Sequence, residues 1–262
     1  MKNLIVVCSL LGISMGLFAQ SPSGKWSINM GYDHAQINDP FSSPLMYRAH
    51  AIKVGTHYQK ESDVFTSFDF ALSIGNSQPV NIGQRTATII EDPDIYGERE
   101  SFDVSVNPLL SFVRARASYG IGWEIAPHHF LGAALKAEHT YTGIRLDDWF
   151  YTEAGLSAMY HGSFDVGAGN LDLDVQLPLL AFVVRPNYSS DAYLPELSSY
   201  YLTYVKTAGK VVGLHQLQHP DIRLTYHPSG NFSVGYHGEY LRYQEPGPVR
   251  LLSNQVFIQY NF

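Results

Sequence analysis

The stretch "VRARASYGIGWE" (113–124) leaves few folds open. Val113, Ala115, Ala117, Tyr119, Ile121 and Trp123 take alternate positions, with Arg114, Arg116, Ser118, Gly120, Gly122 and Glu124 between them. A period of two puts each set on its own face of an extended chain, so this is a strand with one greasy and one wet side. The pattern recurs. Trp26, Ile28, Met30 and Tyr32 oppose Ser27, Asn29, Gly31 and Asp33, and Phe68, Phe70, Leu72 and Ile74 oppose Asp69, Ala71, Ser73 and Gly75. Leu131, Ala133, Leu135, Ala137 and Tyr141 oppose Lys136, Glu138 and Thr140, and Leu171, Leu173, Val175 and Leu177 oppose Asp172, Asp174 and Gln176. Phe232, Val234, Tyr236 and Tyr240 oppose Ser233, His237 and Glu239. The chain closes on "SNQVFIQYNF", where Val256, Ile258, Tyr260 and Phe262 face away from Gln255, Gln259 and Asn261, with Phe257 as a misfit on the wet side.

These segments run to about 9–13 residues, near the length of a tilted strand crossing a bilayer. Their connections alternate in length. Short turns stand at 60–63, 126–129, 167–170 and 227–231, and long polar stretches at 34–45, 76–101 and 186–210, with shorter ones at 143–148 and 244–249. Short turns at one end and long loops at the other are the plan of an outer-membrane barrel. The reading is one all-β domain: a single antiparallel transmembrane β-barrel of about ten strands, with short periplasmic turns, longer extracellular loops and both termini on the periplasmic side. If "LSSYYLTYVK" (198–207), within the ambiguous region 196–227, forms another strand, the count becomes twelve.

Export is written at the start. "MKNLIVVCSLLGISMGLFAQS" has one early lysine, an apolar run and small residues near Ala19, which reads as a Sec signal peptide over 1–20, leaving 21–262 as the barrel. The only cysteine, Cys8, lies in the apolar run without a lipobox, so thiolate chemistry, disulfides and cysteine zinc sites are excluded from the mature chain. The formal net charge of −7 argues against nucleic-acid binding. A β-sandwich could also alternate, but its outer faces would need many charges, and only 16% of residues are charged while 13% are aromatic. Closure in lipid accounts for the greasy faces, because unpaired strand edges cannot face hydrocarbon.

The final strand, with Val256, Ile258, Tyr260 and Phe262, resembles the C-terminal signature by which outer-membrane barrels are recognised by their assembly machinery. Further, "VQLPLLAFVVRPNYSSDAYL" (175–194) followed by "GLHQLQHPDIRLTY" (213–226) resembles an uncharacterised family of small outer-membrane barrels of Bacteroidota. The resemblance implies fold and location in the outer membrane, and no functional residues.

The polar faces carry Lys53, Arg114, Arg116, Lys136 and Arg223 with Asp69, Glu124, Glu138, Glu153, Asp172, Asp174 and Glu239. One reading is a polar conduit. The other, which we favour, is a plug, because a barrel of about ten strands has little free bore and opposite charges fill it. "YHPSGN" (226–231) superficially resembles the catalytic segment of outer-membrane phospholipases, but its spacing departs from theirs and Pro-Ser-Gly-Asn is turn chemistry. Asp147, Asp148, His215, His219 and Asp221 are the residues an outer-rim protease would use, and loop polarity explains them as well. In an extended segment His215 and His219 stand about 13 Å apart along the chain, so their spacing makes no metal site. Glu91, Asp92 and Asp94, in the insert 81–101, read as a solvated loop, and Trp26, Trp123 and Trp149 as lipid-facing girdle residues.

The expected function is non-enzymatic, structural in the envelope or in surface interaction; the alternatives are a narrow solute channel and an outer-membrane hydrolase. No cofactor and no metal is expected. The expected partners are outer-membrane lipid, periplasmic chaperones, the barrel assembly machinery and an envelope protein, with no nucleic acid.

Overall fold

A computed structural model describes residues 24–40, 43, 45–80, 85–90, 101–106, 109–143, 149–185, 208–228 and 230–262. Residues 1–20, expected as a signal peptide, together with Asp147, Asp148, Glu91, Asp92, Asp94, Ser229 and 198–207, lie outside the described residues.

The strands are β1 (Lys25–Asn38), β2 (Met46–Lys60), β3 (Val64–Pro79), β4 (Arg85–Ile90), β5 (Ser101–Val106), β6 (Leu110–Ala126), β7 (His129–Gly143), β8 (Trp149–Val166), β9 (Gly169–Val184), β10 (Gly209–Gly213), β11 (Leu217–Gln218), β12 (Asp221–His227), β13 (Phe232–Tyr243) and β14 (Val249–Asn261). Each pairs antiparallel with its neighbour, and β14 pairs with β1 from Arg250–Asn38 to Asn261–Ser27, so the ring closes. β10, β11 and β12 together make one interrupted strand. β10 and β12 lie in line along the same edge of β9, and β11 and β12 pair with β13. Counted so, the barrel has ten strands.

The interruption has a neighbour that explains it. Pro178 lacks the N–H that a ladder needs, and next to it the β8–β9 register slips, with Leu156 opposite Leu180 but Ser157 opposite Pro178. Leu179 is the extra residue of a β-bulge. It reverses the inward parity of β9, from Asp172 and Asp174 below to Ala181 and Val183 above. Leu177, Leu179, Leu180 and Phe182 consequently all face outward.

The short connections sit where expected, at 61–63, 127–128, 167–168 and 228–231. The strands are longer than expected, up to 18 residues in β8. Two stretches expected as loops are partly strand: β1 runs on through 34–38, and 85–90 pairs with 101–106 as a separate hairpin.

Outward positions are apolar through the middle of the barrel: Ile28, Met30, Ile52, Val54, Ile74, Leu135, Val234, Val256 and Ile258 are all exposed. At the turn end the band meets Trp123, Phe232, Tyr260 and Phe262. Trp149 corrects the girdle reading. It is buried and donates Nε1–H to Asp39 at 2.6 Å inside the loop end of the barrel.

Candidate functional site

The interior is stacked in layers. At the loop end, Ile37, Phe112, Leu217, Leu241, Val249 and Leu251 are buried in one apolar cluster with Tyr151 and Tyr243. Above it Arg185 pairs with Asp39 and donates to the carbonyls of Glu245 (3.1 Å) and Gly247. Near the turn end a smaller cluster holds Phe65, Phe130, Ala134 and Met159, with the His161 ring stacked on Phe65 at 4.3 Å.

Charge fills the layer between. Arg116, from β6, reaches Asp221 (2.8 Å), Asp69 (3.2 Å) and Glu239. Arg114, two residues along the same face, lies against Glu138 (2.9 Å), Glu239 and Asp33 (4.0 Å). Its terminal nitrogens make ion pairs rather than aligned hydrogen bonds. Arg223 donates to Asp69 at 2.5 Å and to Gln259 at 2.8 Å. Lys136 sits 3.4 Å from Glu138 and 3.6 Å from Asp221. Lys53 donates to Gln255 at 2.6 Å and lies over the Phe257 ring, which Arg223 covers as well. Glu153 accepts from Tyr151 at 2.8 Å and pairs with His219 at 2.7 Å.

The structure thus brings Lys53, Asp69, Arg114, Arg116, Lys136, Glu138, Glu153, Arg223 and Glu239 together. Asp172 and Asp174 belong lower down, beside His227 and His161. Glu124 does not join them. It shares the parity of Arg116, but the β6–β7 register breaks between Glu124 and Ala126 at the turn end, and its side chain is exposed. The outer-rim set is corrected too. His219 and Asp221 are buried in the lumen while His215 is exposed, so no rim constellation forms from the described members. Asp33, His57 and His237 are further members, each at an inward position of its strand. Two sets, Glu138–His219–Glu239 and Asp221–His237–Glu239, have ligand atoms mutually within 4.8 Å. Arg114, Arg116 and Lys136 already occupy these carboxylates, so a divalent ion would have to displace a cationic side chain.

At the turn end the lumen opens as a cavity of about 830 Å³, lined by Lys25, His57, Glu61, Asp172 and His227 among others. Ser233 Oγ lies 2.7 Å from His227 Nδ1, and His227 Nε2 lies 3.1 Å from Asp172. This is the connectivity of a serine hydrolase triad with the two ring nitrogens interchanged. It does not amount to a catalytic site. Ser233 is 1% exposed and its oxygen already accepts from Asn261 at 2.9 Å, so the linkage ties the β12–β13 turn to the end of β14.

In the β2–β3 turn, the facing His161 imidazole and the Gln59 amide, which donates at 2.8 Å, hold the Glu61 carboxyl below the usual range. A depressed carboxylate contributes stability that is present above its unfolded pKa, about 4.3, and lost as pH falls through its folded value. The wild-type chemical-denaturation midpoint should therefore drop as pH falls below that range, and Glu61→Gln should flatten the slope. Identical slopes would remove Glu61 from the account.

No protein-family model matches the chain, and no curated protein sequence matches it. Among solved structures, it is similar to the translocator domain of the autotransporter NalP from Neisseria meningitidis (8% identity, 100% of this chain and 96% of that one, TM-score 0.45). It is similar also to the β-domain of the Bordetella autotransporter BrkA (10%, 91% and 99%, 0.45). A third is the attachment invasion locus protein Ail of Yersinia pestis (11%, 92% and 99%, 0.39).

Proposed function

We propose that this chain is a non-enzymatic outer-membrane barrel, sealed by its own side chains, with a structural or surface-interaction role in the envelope. The carrying observation is the layered interior: an apolar cluster, a layer of buried ion pairs and a second apolar cluster succeed one another along the lumen. The exposed apolar band around a closed ring supports placement in a membrane, where a barrel leaves no edge unpaired. In this reading 1–20 is a Sec signal peptide and 21–262 the barrel. Val256, Ile258, Tyr260 and Phe262 form the strand read by the assembly machinery, after periplasmic chaperones deliver the chain. Membership of the Bacteroidota family rests on 175–194 and 213–226, whose described parts form the bulge and the interrupted strand. The channel alternative draws on the turn-end cavity, whose lining includes His57 and Gln259, both partners of Arg223 in the ionic layer.

Purified barrel reconstituted in a planar bilayer should show no discrete conductance steps. Reproducible unitary steps from the wild-type protein would replace the sealed barrel with the channel.

A further inference from the structure

Around the loop end, the outward faces of four adjacent strands change character. Above Ile28, Met30 and Tyr32, β1 presents His34, Gln36 and Asn38; above Ile52 and Val54, β2 presents His50 and Arg48. β14 presents Arg250 and β13 presents Arg242, which are direct cross-strand partners. Arg250 also pairs with Asn38, and Arg48 pairs with Gln36, one outward step lower. The arginines therefore span three inter-strand steps, about 14 Å. The polar change continues on β3 with Asn76 and Gln78, but the cations are local to this side. Across the barrel, Phe182 and Val211 remain apolar and outward near the same end.

Among the described residues, Arg48, Arg242 and Arg250 are, apart from Lys60 at the turn end, the cations on the outward faces of the barrel strands, and no carboxylate stands on those faces. Like charges directly opposite one another repel, and nothing described in the chain relieves Arg242 against Arg250. Below them Tyr32, Tyr236 and Tyr240 mark the upper edge of the apolar band. Next comes an open apolar groove of about 750 Å³, lined by Met30, Leu224, Val234, Val256 and Ile258. From Arg48 to Tyr32 is four residues of strand, about 13 Å, within the half-thickness of a bilayer core of about 30 Å.

We infer that this face binds a phosphate-bearing lipid of the outer leaflet: the guanidiniums hold the phosphates, and an acyl chain runs down past the tyrosines into the groove. Arginine suits phosphate because its planar fork donates two parallel hydrogen bonds. A free anion would gain nothing from the groove, and a phosphate-free lipid would leave the arginines uncompensated. The inference rests on the proposed membrane placement.

The test is native mass spectrometry of the full mature barrel, released from detergent with bis-phosphorylated lipid A, with phosphate-free lipid A, or with inorganic phosphate. Bis-phosphorylated lipid A should be retained preferentially. Its affinity should weaken about fivefold for each of Arg48→Gln, Arg242→Gln and Arg250→Gln, and on the order of a hundredfold for the triple variant. Lys60→Gln should change nothing. Equal retention by the triple variant, or equal retention of phosphate-free lipid or of inorganic phosphate, overturns the inference. Heat-modifiable gel migration checks that each variant is folded; if the triple variant is not, Arg48→Gln carries the test, since it lies outside the like-charged pair. Insertion into lipid vesicles is scored separately. A barrel that inserts but shows no preference sinks this inference alone, and one that does not insert sinks the membrane reading with it.

Discussion

Arg116→Met should cost the barrel about 3–5 kcal/mol, measured as the loss of unfolding free energy in denaturant titrations of the detergent-folded protein. Arg116 is the shared cation of Asp69, Asp221 and Glu239. Removing it leaves Asp69, Asp221 and Glu239 with one cation each, Arg223, Lys136 and Arg114, of which Lys136 and Arg114 also serve Glu138, so the buried layer is left with a carboxylate charge uncompensated. Arg116→Lys should recover only part of the loss, because an ammonium cannot present the guanidinium's spread of donors to three acceptors. The charged layer need not add net stability over an apolar filling of the same shape. Breaking it asymmetrically is the severe change. An Arg116→Met barrel as stable as wild type would mean that water or counterions already screen the layer, and the sealed interior would fall with it.

That layer was legible in the sequence because Arg114 and Arg116 stand in strict alternation with small and aromatic outward residues. What was illegible has a physical cause. In β1 the inward residues change from Ser27, Asn29 and Asp33 to Ala35 and Ile37, while the outward ones change from Ile28 and Met30 to His34 and Gln36. The alternation persists but inverts, since the outward side leaves the apolar band as the inward side enters the apolar cluster. A rule that assigns greasy residues outward therefore ends the strand too early, and 34–38 looked like loop. In β9 the difficulty is different: Leu177 to Val184 is apolar on both faces, so the parity change at Leu179 leaves no mark in hydropathy. Loop polarity accounts for His219 and Asp221 in the sequence, because nothing in their spacing indicates that a broken strand carries them inward. Glu124 failed for the opposite reason: its parity is right, and only its position at the strand end exposes it.

Phe257, the residue that broke the terminal alternation, should prove as consequential as the arginines, and its effect should depend on a glycine. It is buried on the inward face, with Lys53 5.1 Å and Arg223 4.8 Å from its ring centre. Its cross-strand partners on β1 and β13 are Gly31 and Gly235. A Cβ on Gly235 would lie 2.2 Å from the end of the Phe257 ring, so the ring occupies the space that a side chain there would fill. Phe257→Ala should cost about 3–5 kcal/mol through the cavity and the lost cover over two cations. Gly235→Val alone should cost about 1–3 kcal/mol, because it forces the ring off its seat between them. In the double variant the valine meets no ring and fills part of the vacated volume. The two losses should then sum to at least about 1 kcal/mol more than the double variant shows, a coupling that a double-mutant cycle measures directly. Additive losses would mean that the ring does not lie on Gly235, and that the glycine there serves the backbone alone.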